Sequence, residues 1–121
     1  MNMAASVALL YGIKATTQPV SPSVFVQQRK AGAAKIAKEA KAKGGLATLT
    51  SIHFAAKLAI YDLIASAIDQ PNLIKTLKSM EAGLAKKIAV APDMKSFQEM
   101  TGKQEVYGEC ILFLEHPEVY Q

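Results

Sequence analysis

An all-α domain is predicted from three features of the chain. Half of its 121 residues are hydrophobic, yet only 7% are aromatic and none is tryptophan; Ala, Leu, Ile and Lys recur instead, a vocabulary of packed helices rather than of a β-sandwich. Apolar residues return at helical spacing through most of the chain, and Pro and Gly punctuate it at intervals suited to helices. The length matches one domain that can enclose a single core without metal or disulfide staples. The expected architecture is an irregular bundle of four to five helices forming one domain over residues 1–121, with a hydrophobic helix at about residues 50–69 in its centre.

The elements follow in order. Residues 1–13 form a brief apolar run that periodicity assigns to neither helix nor strand. Residues 16–23 hold Pro19 and Pro22 among Thr, Gln and Ser, a connector whose Ser21 or Ser23 is placed to cap the next helix. That helix, at about residues 23–43, gathers Phe25, Val26, Ala33, Ile36, Ala37 and Ala40 on one side at about 100° per residue. Gly44 and Gly45 end it, since glycine adopts the left-handed conformation without a Cβ clash.

A second helix is expected over about residues 50–69, where Ile52, Phe54, Leu58, Ile60, Tyr61, Leu63, Ile64 and Ile68 cover most of the circumference. Its coherent polar strip is Ser51, Asp62, Ser66 and Asp69. Pro71 stops it, and Asn72 is placed to cap the successor. The third helix is the cleanest amphipathic segment, with Leu73, Leu77, Met80, Leu84 and Ile88 on one stripe; Gly83 weakens it by about 1 kcal/mol relative to alanine. Pro92 and Asp93 open a short helix carrying Met94, Phe97 and Met100, which Gly102 is expected to terminate. The last element, about residues 104–115, buries Val106, Tyr107, Cys110, Ile111 and Leu114 and reads as a helix or a strand, with His116-Pro117 closing it.

Cys110 is the single cysteine, which excludes an intramolecular disulfide and fits a reducing compartment; a cytoplasmic location is expected. Residues 1–10 are apolar but lack a basic n-region and a cleavage site, so no signal peptide is expected. The most apolar stretch, residues 52–68, contains His53, Lys57 and Asp62, so a soluble protein without a bilayer span is expected.

The formal charge is +4, and its location is more informative than its size. Arg29, Lys30, Lys35, Lys38, Lys41 and Lys43 stand against Glu39 alone within residues 24–43, while the remaining eight basic and nine acidic residues nearly cancel. A row of cations on a stiff helix matches a phosphate backbone. These six residues are therefore the candidate nucleic-acid contacts, weighed against the plainer reading that lysines solvate the outer face of an alanine-rich helix. A membrane surface is disfavoured because the apolar side is mostly alanine and offers little to insert. Only Gln27 and Gln28 are suited to reading base edges, so binding is expected to be independent of sequence. Arg29 falls between Phe25 and Ile36 on the apolar side and is expected at a helix–helix edge, snorkelling or paired with a carboxylate.

The remaining constellations are weaker. His53, Lys57 and Tyr61 lie one turn apart and offer a base and a cation, but Asp62 on the opposite side of the helix cannot orient His53, and a histidine bonded to a backbone carbonyl is the plainer reading. Cys110 falls on an apolar face as a buried, inert thiol. Neither CxxC, HxxxH nor ExxH occurs, and neither GxxxxGK[ST] nor GxGxxG, so no metal and no nucleotide cofactor is expected. The expected function is that of a non-catalytic accessory protein contacting nucleic acid through the basic helix. The alternative is a helical protein-interaction or homo-oligomeric assembly protein, in which Ala33, Ala37 and Ala40 permit close helix approach, Met80, Met94 and Met100 line an adaptable surface, and Glu105 and Glu109 meet the basic helix. An enzyme using His53 and Lys57 ranks last.

Overall fold

A computed structural model describes residues 20–120. Four α-helices account for most of them: α1 (Pro22–Lys43), α2 (Ala47–Ser66), α3 (Leu73–Ala89) and α4 (Met94–Glu115), followed by a 3-10 turn, Pro117–Tyr120. The segment at residues 1–13 and the first part of the connector, residues 16–19, lie outside the described residues.

Helix α1 begins where its cap predicts. The Ser21 Oγ accepts the Val24 amide at 3.2 Å, and Pro22 sits in the first turn, where its missing N–H is no loss. Gly44 (φ 68°) and Gly45 (φ 59°) both take the left-handed backbone that reverses the chain. Helix α2 starts a few residues earlier than its apolar pattern suggests, because the turn after Gly44 is already folded by the Ala47 amide on the Gly44 carbonyl, and it ends at Ser66, where the Ala67 amide turns to the Ile64 carbonyl before Pro71 is reached. Asn72 does precede α3, but not as a side-chain cap: it supplies a left-handed residue (φ 63°), and its carbonyl accepts the Thr76 amide.

The main departure lies in α4. Residues 94–115 form one uninterrupted helix, so Gly102 does not terminate it and the C-terminal element is not a strand. Asp93 caps it, its Oδ1 accepting the Ser96 amide at 2.7 Å. Gly102 is buried where α4 crosses α2, and a Cβ there would run into the His53 carbonyl. The glycine that resembles a helix stop is instead a contact point between two backbones.

Cross-helix contacts fix the topology. Lys30 with Asp62 sets α1 antiparallel to α2. His53 with Gln98 and Glu105, and Tyr61 with Glu109, set α2 parallel to α4. Lys78 with Glu115 and Glu81 beside Gly108 set α3 antiparallel to α4. Helix α2 lies between α1 and α4 as its all-round apolar surface requires, while α4 touches every other element; α2 and α3 nowhere bring Cα atoms within 8 Å. The core joins Val26, Ala33, Ile60, Tyr61, Ile64, Leu77, Val106, Tyr107, Cys110 and Ile111. At one end Phe25 stacks on Phe113 (4.0 Å between centroids) and Tyr120 packs edge-on against both, which fastens the 3-10 turn to the start of α1. Among the described residues no helix is long and apolar enough to cross a membrane.

Candidate functional site

The six cations of α1 divide into two groups. Arg29 and Lys30, in the first half of the helix, face carboxylates. An Arg29 guanidinium nitrogen lies 3.8 Å from Glu109 Oε2 with its carbon over the rings of Phe25 and Tyr120, and Lys30 Nζ lies 2.5 Å from Asp62 Oδ1. Arg29 thus occupies the helix–helix edge that its place on the wheel predicts. Glu109 also accepts the Tyr61 hydroxyl at 2.6 Å. Burial first, then this carboxylate, pushes the Tyr61 pKa well above the usual phenol range.

Lys35, Lys38, Lys41 and Lys43 differ. All four are exposed, and none has a carboxylate within ion-pair distance among the described residues. Lys35 lies opposite the buried Val26, Ala33 and Ala40, and Lys38 and Lys41, each three residues further on, turn progressively from there toward the flank of the helix. Glu39 is one turn from both Lys35 and Lys43 yet pairs with neither. Lys41 and Lys43 stand in the last turn, where cations also offset the negative end of the helix dipole.

The topology enlarges this patch in a way that sequence order conceals. Helices α1 and α3 finish at the end of the bundle where α2 and α4 begin. Lys86 and Lys87 in the last turn of α3, and Lys95 in the first turn of α4, therefore stand at the end of the bundle where α1 finishes with Lys41 and Lys43, against Glu39, Asp93 and Glu99. The opposite end carries Asp62, Asp69, Glu109, Glu115 and Glu118 together with Arg29, Lys30, Lys75 and Lys78, so charge there nearly balances. The carboxylates of α4 only partly meet the basic helix: Glu109 takes Arg29, whereas Glu105 turns to α2.

At that turn His53, Lys57 and Glu105 come together. The Glu105 carboxylate lies 2.6 Å from His53 Nε2 and 3.8 Å from Lys57 Nζ, while His53 Nδ1 faces the Gln98 carbonyl at 3.2 Å and the Thr101 hydroxyl at 3.4 Å. Both ring nitrogens are engaged by groups of α4, leaving neither open to a substrate; the arrangement staples α2 to α4 beside Gly102. Glu105 could not be assigned to His53 from the sequence, since the two are far apart in the chain and only the helix crossing joins them. Asp62 points to Lys30 on the other side.

Cys110 is buried, and burial together with the neighbouring Glu109 charge pushes its thiol up to about 12. Among the described residues no three His, Cys, Asp or Glu side chains converge in a metal-holding cluster. Ala33 and Ala40 are buried, so the small-residue stripe of α1 is used within the molecule. Met80 and Met94 are exposed and Met100 half-buried. No protein-family model, curated protein or solved structure matches the chain.

Proposed function

We propose that this protein is a non-catalytic accessory protein that binds nucleic acid through its phosphate backbone, without sequence preference. The observation that carries the reading is the set of four exposed lysines, Lys35, Lys38, Lys41 and Lys43, on one helix with no carboxylate partner among the described residues. Unpaired ammonium groups on a rigid scaffold can displace condensed counterions without first breaking an intramolecular ion pair. The contact set is therefore narrower than the six cations of α1: Arg29 and Lys30 are occupied, and they contribute only if Glu109 and Asp62 release them. Lys86, Lys87 and Lys95 at the same end extend the positive field.

The test is an anisotropy titration of labelled duplex DNA at several salt concentrations. Four displaced counterions give a slope of log K against log salt of about −3.6. Replacing Lys35, Lys38 and Lys41 together by Gln is expected to flatten that slope by about 2.7 and to weaken binding equally on unrelated sequences, with the fold retained because none of the three side chains is packed and only the small helix-end contribution of Lys41 is lost. Absence of affinity at low salt, or a triple variant that binds as the parent does, disproves the reading.

A second reading, protein–protein interaction, is favoured by a different observation: a groove between α2 and α3 that no part of the described chain fills.

A further inference from the structure

The stripe Leu73, Leu77, Met80, Leu84 and Ile88 makes α3 the most clearly one-sided helix of the chain, yet that stripe is only half covered. Leu77 is buried, but Met80 remains 46% exposed, and across from it Leu63 of α2 remains 49% exposed. The cause is topological, since α3 leans on α4 and never closes on α2. Between α2 and α3 this leaves a groove of about 290 Å³, floored by Tyr107 of α4 and walled by Ile60, Leu63, Met80 and Leu84. Its charged lining consists of Lys87 and Lys103, with no carboxylate.

Gly83 lines the same groove. A glycine inside a helix weakens it, and here packing among the described residues does not require one, because an added Cβ would meet none of them within 4 Å. At Gly102 the reverse holds and the α2 backbone fills the space. A missing side chain on a groove wall lets another backbone come closer than any other residue would allow.

We propose that this groove receives one amphipathic helix of a partner protein, with its apolar stripe on Leu63, Met80 and Leu84 and its acidic flanks toward Lys87 and Lys103. Helix-in-groove recognition needs an apolar trough, an adaptable wall such as methionine, and rim charges opposite to those of the ligand. A phosphate backbone would gain nothing from the apolar floor. A second copy is disfavoured by charge: the helix it would offer with an open apolar stripe, α3, carries Lys75, Lys78, Lys86 and Lys87, which would oppose Lys87 and Lys103. No residue of α1 lines the groove, so the proposal shares with the nucleic-acid reading only the lysines at its rim, Lys87 and Lys103, and stands on the apolar walls without it.

The experiment uses the full chain and three fluorescein-labelled synthetic helical peptides. One has leucines at every third and fourth position with glutamates between, one replaces the glutamates by lysines, and one replaces the leucines by serines. The acidic amphipathic peptide is expected to bind, the other two at least about tenfold more weakly. Met80→Asp should abolish binding, and the double variant K87E/K103E should transfer the preference to the lysine peptide. Gly83→Ala should raise the melting temperature while lowering affinity, a pair of opposite changes that a purely structural glycine would not produce. Circular dichroism establishes that each variant is folded. Several results would overturn the proposal: no binding, equal binding of the acidic and lysine peptides, affinity indifferent to Met80→Asp, or affinity unchanged in Gly83→Ala. Three others would replace the occupant and so also overturn it. They are competition by a single-stranded oligonucleotide that persists when Lys35, Lys38 and Lys41 are replaced by Gln, a concentration-dependent dimer that Met80→Asp dissolves, and binding seen only after residues 1–19 are removed.

Discussion

The glycines of α4 illustrate how one residue type serves different ends within a single helix. Gly102 faces backbone, the His53 carbonyl, whereas a Cβ on Gly108 would approach only the movable end of the Glu81 side chain. Gly102→Ala should therefore destabilise the fold by roughly 1–3 kcal/mol, the range for overpacking a close contact, and Gly108→Ala by clearly less; urea unfolding of the two variants provides the comparison, and equal effects would refute the close-approach account. Cys110 and Tyr61 lead to a pH prediction. Burial raises both pKa values above their ordinary 9.0 and 10.0. The unfolded chain therefore releases these protons at a lower pH than the folded one. Their contribution to stability is intact below pH 9 and is lost as pH rises from there through the folded values, about 12 for the thiol. A Cys110→Ala, Tyr61→Phe double variant should lose less stability between pH 8 and 11 than the parent, measured by denaturant midpoint. The burial of Cys110 was legible from its place on an apolar face. The Tyr61–Glu109 bond was not, because it joins two helices distant in sequence.

At the scale of elements, boundaries follow their caps wherever a side chain or an obligatory glycine sets them. Ser21, the Gly44-Gly45 pair and Asp93 each stand where the sequence places a start or a stop. Asp93 is exposed, and its carboxyl is held below the usual aspartate range by the hydrogen bonds from Ser96. Since that pKa is depressed on folding, the cap stabilises α4 above about pH 4, and the contribution is lost as pH falls through the folded value. Asp93→Asn should flatten this acidic dependence while retaining most of the cap, and Asp93→Ala should lower the melting temperature at neutral pH. A parent and an alanine variant that melt alike at pH 7 would contradict the assignment. Gly102 shows where reading elements from sequence fails. A glycine at a C-terminus and a glycine at a helix crossing look the same in one dimension, and the partner backbone that distinguishes them comes from residue 53.

At the scale of the molecule, unequal packing predicts unequal stability. Helix α3 docks on α4 alone and buries one residue fully, Leu77, whereas α2 and α4 share the core. Local opening is easiest where few apolar contacts hold an element. Amide exchange should be fastest through α3 among the four helices, and the acidic peptide that fills the α2–α3 groove should slow it there first; protection of α3 equal to that of α2 would contradict this. The distribution of charge also belongs to this scale, since Lys41 and Lys43 of α1, Lys86 and Lys87 of α3 and Lys95 of α4 are brought to one end only by the antiparallel packing of alternate helices. Periodicity and punctuation in the chain were enough to determine its all-α class, the limits of α1, the apolar stripe of α3, the central place of the apolar helix and the identity of the basic segment, because these depend on neighbours within a few residues. Which cations remain unpaired, which glycine is a contact, what His53 holds and why a groove stays open between consecutive helices were decided by the tertiary structure. Each depends on groups that are remote along the chain and become neighbours only when the helices cross.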